Sequence, residues 1–192
     1  MKETEITVEL LDDLQETKKK LEGKNFSVLG KCLMQDVYFS KFTLEDLKKM
    51  DYKELIGNSF LVRNLIGDMV ASQIIYKEKV FDSKGNVVAE EKIVSNIDSF
   101  EDAVKVFELA GLTCWCKIKQ EMTIFKKENI QFVIQEVEDL GAYIEFEEYD
   151  EIKKLSPQQK IMSMLNTLKR LGLKIGNDFS CKKVYLKFKG KK

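Results

Sequence analysis

The sequence predicts an antiparallel α+β fold whose strands are numerous enough to close into a barrel. Three observations carry this. Apolar and charged residues alternate with a strand-like period of two in about eight segments. Most of these segments are joined by tight turns rather than by crossover helices, which makes neighbouring strands antiparallel. Three or four helical patterns with recognisable caps separate the strand groups and would flank the sheet. Closure of about eight such strands would remove exposed sheet edges.

Residues 4–10 alternate, with Glu3, Glu5, Thr7 and Glu9 on one face and Ile6, Val8 and Leu10 on the other, giving a strand with an acidic face. Asp12 or Asp13 can cap the next helix, which runs to about Glu22 and stops at Gly23. A second strand region lies within residues 26–40, around Lys31–Phe39. Thr43-Leu44-Glu45-Asp46 resembles a capping box before a short helix ending near Met50. Asn58–Ile66 and Asp68–Lys79 read as strands joined at Gly67, and the second puts Gln73, Ile75, Lys77 and Lys79 on one face. A hairpin turn over Asp82–Asn86 leads into a strand from Val87 to about Ile97, where Glu90, Lys92 and Val94 share a face.

Ser99, with Asp102 three residues later, starts a helix that Gly111 ends. Leu112–Phe125 is a strand with Lys117 and Lys119 on one face, followed by a turn over Lys126–Asn129. Residues 129–147 form two strands about the Leu140-Gly141 turn, and the second carries Glu145 and Glu147 on one face against Ile144 and Phe146 on the other. Ser156-Pro157-Gln158-Gln159 opens a helix with a stripe of Ile161, Met164, Leu165 and Leu168 that Gly172 closes. Val184–Phe188 reads as a short final strand or tail.

A chain of 192 residues suits one domain, 1–192. Thirty-two basic and 32 acidic residues leave no net charge, which gives no general attraction for nucleic acid or membrane. No apolar run reaches membrane-spanning length and the N-terminus is acidic, so a cytoplasmic protein is expected. Histidine is absent, which excludes histidine acid–base chemistry, Ser-His triads and His-ligated zinc. Cys32, Cys114, Cys116 and Cys181 have neither zinc-finger nor thioredoxin spacing and read as free core cysteines, and Trp115 as core or wall packing. Any metal chemistry would rest on carboxylates, which favour Mg or Mn.

From spacing alone, the paired charges are most simply the solvated outer faces of antiparallel strands. Their order along the chain says more. An N-terminal Glu3-Thr4-Glu5 is followed by Gln35-Asp36-Val37-Tyr38-Phe39, Phe60-Leu61-Val62-Arg63, Ile75-Tyr76-Lys77 and an acidic strand at Glu90. A lysine-bearing strand and Val137–Glu147, with its Leu-Gly turn before the last glutamate pair, complete the series, and Tyr185 closes it. In this order the chain resembles the CYTH superfamily of triphosphate tunnel metalloenzymes, which includes class IV adenylate cyclases and thiamine triphosphatases. The resemblance covers essentially the whole chain.

The resemblance implies a closed eight-stranded antiparallel β-barrel forming a tunnel, and a metal-dependent phosphohydrolase acting on a small-molecule triphosphate or related organic phosphate. The alternatives are a class IV-type adenylate cyclase, or a catalytically degenerate module that binds an anion or nucleotide. By position, Glu3, Glu5, Glu90, Glu145 and Glu147 would hold Mg or Mn, with Glu91 competing for the register of Glu90. Arg63, Lys77, Lys117, Lys119 and Lys182 (or Lys183) would hold phosphate oxygens. A homodimer stays open, and no residue is assigned as acid, base or nucleophile. Thr7, Leu61 and Gln135 depart from the family pattern, the first two replacing cations and the third an aspartate. Each charge-assisted contact contributes about 1.5–3 kcal/mol, so these losses predict weakened phosphate binding.

Overall fold

The computed structural model describes residues 4–57, 60–83, 85, 87–176 and 183–190. Eight strands form one antiparallel sheet: β1 (Glu5–Glu9), β2 (Ser27–Ser40), β3 (Phe60–Gly67), β4 (Ala71–Phe81), β5 (Val87–Asn96), β6 (Thr113–Lys127), β7 (Ile130–Val137) and β8 (Gly141–Glu147). Their spatial order is β1-β8-β7-β6-β2-β3-β4-β5. β2 and β6, the longest strands, pair along nearly their full length, with register irregularities at Val28/Gly30 and Tyr38/Phe39. Such irregularities bend and twist a sheet, and here they sit at its centre.

The closed barrel expected from strand number is corrected by this arrangement. The sheet curls into a half-barrel: β1 pairs only with β8 and β5 only with β4. Side chains, not backbone hydrogen bonds, span the seam between the edges, where the Lys92 ammonium lies 3.1 Å from Glu5 and 3.7 Å from Glu147.

The helices are α1 (Leu14–Glu22), α2 (Leu44–Lys49), α3 (Tyr52–Gly57), α4 (Phe100–Leu109), α5 (Pro157–Arg170) and α6 (Lys183–Lys189). α5 begins with the expected capping box of Ser156 and Gln159 behind Pro157. Its Met164, Leu165 and Leu168 join Ile6, Val8, Ile144 and Phe146 in one apolar cluster on the convex side. α5 packs against both edge strands, β1 and β5, and so covers the seam from outside. Glu148, just after β8, accepts hydrogen bonds from the Thr4 amide at 2.9 Å and the buried Lys160 ammonium at 2.7 Å, which fixes α5 to the end of β1. α4, capped by Ser99, lays Phe100, Val104 and Phe107 on Phe39 and Val62 of the central strands.

The C-terminal Val184–Phe188 is a helix, α6, not a strand or tail. Val184 and Phe188 are one helical turn apart and meet the Trp115 and Cys116 cluster, with Trp115 edge-on to Phe188 at 5.1 Å. The alternation that suggests a strand is equally the first turn of this contact. α3 has no counterpart in the sequence reading, and its Tyr52 meets Tyr185 of α6 edge-to-face at 5.4 Å. Cys32, Cys114 and Cys116 are free, and burial pushes the Cys116 thiol up to about 12, which makes it inert. Cys181 lies outside the described residues. No helix is long and apolar enough to cross a membrane among those described.

Asp13, not Asp12, caps α1, its carboxylate accepting from the Gln15 and Glu16 amides. Asp12 ties the chain ends together instead. Its side chain is 1% exposed and accepts from the Lys174 amide at 3.0 Å and the Lys20 ammonium at 2.9 Å. These bonds, the Lys174 amide first, hold its carboxyl below the usual value of 3.8. A depressed folded value means that Asp12 stabilises the fold fully above pH 3.8, with the benefit lost as pH falls through the lower folded value. The expected result for Asp12→Asn is a melting temperature lower by roughly 3–10 °C at pH 7. In thermal melts from pH 7 to pH 2 the gap to the parent protein should close below pH 3.8; a gap independent of pH would remove the carboxylate from this role.

Candidate functional site

The concave face of the half-barrel encloses a cavity of about 230 Å³. Period-two alternation delivers its lining: Glu5 from β1, Met34, Asp36 and Tyr38 from β2, Arg63 from β3, Lys77 and Lys79 from β4, Lys92 from β5, Gln120 and Met122 from β6, Gln135 from β7, and Glu145 and Glu147 from β8. The β7–β8 turn sets the register of the last pair. Asp139 and Gly141 take positive φ values of 65° and 104°, and the resulting alignment puts Val133 opposite Glu145 and Gln135 opposite Tyr143. On the other side of β8, Glu5 pairs with Glu147 and Thr7 with Glu145.

Oxygen atoms of Glu5, Glu145 and Glu147 therefore lie within 4.8 Å of one another, a set that could hold a metal ion. Glu5 is deeply buried while the Glu147 side chain is 58% exposed, so the trio runs from the cavity floor to its mouth. Burial disfavours charge on Glu5, as does neighbouring Glu145, but Lys77, Lys92 and Lys79 overcome both and lower its carboxyl to about 2. Glu145 also ends at about 2, burial being outweighed by Lys183, Lys77, a hydrogen bond from Gln135 and Arg63. The Gln135 amide donates to Glu145 at 2.9 Å and accepts from the Lys183 ammonium, which lies 3.6 Å from Glu145.

Beside the acids, across the seam, stands a basic wall on β4 and β5. It is built around Glu90, 1% exposed, whose carboxylate meets Lys77 at 3.1 Å, Lys79 at 2.7 Å and Lys92 at 3.1 Å. Burial raises the Glu90 carboxyl and the lysines lower it further, so it stays ionised. The Lys92 ammonium is held well above the ordinary lysine value: Glu5, Glu90 and Glu147 more than offset its burial and the repulsion of Lys77. Arg63 forms a two-point pair with the buried Asp36, at 2.8 and 2.7 Å.

The structure thus brings together Glu5, Arg63, Lys77, Glu90, Glu145 and Glu147 at one cavity. Glu90, and not Glu91, is the residue of that strand on the concave side, although it binds lysines and does not join the acidic trio. Lys117 and Lys119 are corrected. Both are exposed and line a separate cleft between α4 and the convex face of β6, while their neighbours Ile118 and Gln120 face the cavity. Glu3 and Lys182 lie outside the described residues; Lys183 is the described C-terminal lysine that reaches the site. Sequence reasoning paired Lys79 with Lys77 as a basic candidate but assigned no role to Asp36, Lys92 or Gln120. Asp36 and Lys92 were detectable, since Lys92 follows Glu90 by two and Asp36 alternates with Met34 and Tyr38.

No protein-family model matches the sequence. A Methanocaldococcus jannaschii protein named as a putative adenylate cyclase is 27% identical over 191 residues, covering 99% of each chain. Among solved structures, the PH1012 protein of Pyrococcus horikoshii superposes with a TM-score of 0.70 at 22% identity, over 97% of this chain and 98% of the other. The putative adenylyl cyclase HpAC1 of Hippeastrum, described as having a dominant triphosphatase activity, gives 0.62 at 16% identity, over 97% and 94%. A relative matched from end to end and neighbours with the same fold agree with the motif order read from the sequence, and support the resemblance of the chain to the CYTH superfamily.

Proposed function

We propose that the protein is a metal-dependent phosphohydrolase acting on a triphosphate or related organic phosphate held in the concave cavity. The observation that carries this is the acidic trio Glu5, Glu145 and Glu147 lining one cavity of about 230 Å³ together with Lys77, Lys92 and Arg63. The donors are all carboxylate oxygens, which suit a hard cation such as Mg or Mn, and the low values of Glu5 and Glu145 keep protons from competing for them. When bound, such an ion would neutralise phosphate oxygens and polarise the phosphoryl group. The chain's own cations do the rest: Lys77, Lys79, Lys92, Arg63 and Lys183 orient the phosphate chain and stabilise charge as it moves to the leaving oxygen. Hydrolysis is favoured over cyclisation, because it needs only water as the attacking group.

The charge balance of the cavity sharpens this reading. Its described charged residues, with Glu90 behind the lysines, comprise five cations and five anions. A triphosphate carrying about four negative charges would be uncompensated there, whereas its complex with divalent ions would be nearly neutral. Titration calorimetry is expected to show inorganic triphosphate binding at least 10-fold more weakly with a chelator than with Mg. Equal affinity in both conditions would remove the metal from the binding site.

A second reading, binding without turnover, is favoured by the internal pairing of the cations: Arg63 is satisfied by Asp36, and Glu90 engages three lysines. Phosphate-release assays separate the two. On the hydrolase reading, Glu145→Gln lowers Mg-dependent release by about 100-fold or more while circular dichroism stays unchanged. Tight Mg-dependent binding with no release from any triphosphate by the parent protein would establish the binding module instead.

A further inference from the structure

Among the described residues, Gln120 is the glutamine of the cavity wall whose amide lacks a hydrogen-bond partner. It is 1% exposed, its side chain lines the cavity, and neither Oε1 nor Nε2 meets a hydrogen-bond partner among the described residues. Gln135, equally buried on the next strand, has both amide atoms engaged by Glu145 and Lys183. The fold can therefore satisfy a buried glutamine here. Leaving one unsatisfied is costly, and a leucine of similar size would avoid the cost.

The surroundings of Gln120 tell what it faces. Along the concave side of β6 its neighbours are Ile118 and Met122, and its partner across the strand pair is Met34, which in turn pairs with Leu65 on β3. Cys32, Met34 and Met122 are buried there with Leu65 and Val133 packed on them. Lys117 and Lys119 turn to the convex side. This wall is apolar apart from one free amide, while the lysines and acids stand on β4, β5, β1 and β8. Phosphate oxygens meet no cation on the concave side of β6 and could use only the donor half of this amide. An uncharged group with both a donor and an acceptor could use the whole of it.

We propose that Gln120 is a specificity-determining residue: the cavity takes an organic phosphate whose uncharged part lies against β6 and is hydrogen-bonded by this amide. The proposal rests on the reading of the cavity as a metal–phosphate site. The cavity volume limits the enclosed part to a compact group, and the paired donor and acceptor match a carboxamide-like or aminopyrimidine-like edge or a hydroxyl. An inorganic triphosphate would leave the acceptor of this amide and the methionine wall unused.

The test compares the parent protein with Gln120→Leu and Gln120→Glu by calorimetry in Mg, using inorganic triphosphate, methyl triphosphate, ATP and thiamine triphosphate as probes. At least one of the last two is expected to bind roughly 10- to 100-fold more tightly than methyl triphosphate, and Gln120→Leu is expected to abolish that preference while leaving inorganic and methyl triphosphate within about 3-fold. The same variant should melt no lower than the parent, because it removes an unsatisfied buried amide; loss of preference in a protein of undiminished stability separates ligand recognition from a structural role. Gln120→Glu, with the size kept but the donor lost, should weaken all four probes by adding negative charge. A Gln120→Leu protein whose affinities are all unchanged would mean that the amide binds only water, and overturns the proposal. So does a parent protein that prefers inorganic triphosphate to every ester. If no probe binds in Mg, the phosphate reading itself fails and this proposal with it.

Discussion

Charges taken out of water inside a narrow concavity must be balanced by their neighbours, and that constraint organises the half-barrel. Desolvating an ion costs several kcal/mol. At 1% exposure, Glu90 can remain ionised only because Lys77, Lys79 and Lys92 surround it, and the buried Lys79 ammonium depends on Glu90 in turn. This cluster aligns the inner faces of β4 and β5. Lys92 then extends the same balance across the seam, meeting Glu5 on the opposite edge strand β1 and Glu147 on its neighbour β8. Where a closed barrel would use backbone hydrogen bonds, this sheet uses one ammonium inside and the apolar stripe of α5 outside. The ionic contact gives position, and the apolar contact, at about 25 cal/mol per Å² buried, gives the larger share of the energy.

On the proposed reading, the same balance prepares the site for a charged ligand. Glu5 and Glu145 are ionised well below neutral pH, and the opposing lysines and Arg63 are already held on the cavity wall. On the proposed reading, binding exchanges one set of ion pairs for another rather than creating charge in a dry pocket. The groups that would meet phosphate oxygens are oriented beforehand, which is the condition under which electrostatic stabilisation of a transition state is most effective. The cost is that every cation starts with a partner, so selectivity rests on the ligand matching both walls at once.

Period-two alternation made most of this legible in the sequence. It placed Glu5, Arg63, Lys77, Glu145 and Glu147 on strand faces, and their order along the chain brought those faces to one cavity. It failed where alternation has two consistent answers. On β6 the residues Trp115, Lys117, Lys119 and Glu121 alternate with Cys116, Ile118, Gln120 and Met122. Elsewhere in the cavity the charged side faces inward, so charge alone pointed Lys117 and Lys119 the wrong way. The β6 wall is apolar because it stands opposite the ionic one, a long-range fact with no local signal. Closure of the barrel was likewise undecidable from strand number, since it depends on whether β1 meets β5, strands far apart in the sequence. The end of the chain was ambiguous for a simpler reason: Val184, Leu186 and Phe188 alternate, but Val184 and Phe188 are also one helical turn apart.

The missing cations at Thr7 and Leu61 acquire a different meaning in this geometry. Read along the chain, they predict a depleted phosphate site. In the folded sheet, Thr7 and Leu61 are 2% exposed, and the basic side chains of the cavity come from elsewhere: Lys79 and Lys92 from β4 and β5, and Lys183 from the head of α6. The number of cations at the cavity equals the number of anions, so the basic sector is displaced rather than lost. This arrangement concentrates positive charge at the seam, within reach of the acidic trio, and leaves the concave side of β6 free of charge. A phosphate chain drawn to that seam would leave whatever it is esterified to lying toward β6, where the wall is apolar and the amide of Gln120 is unspent.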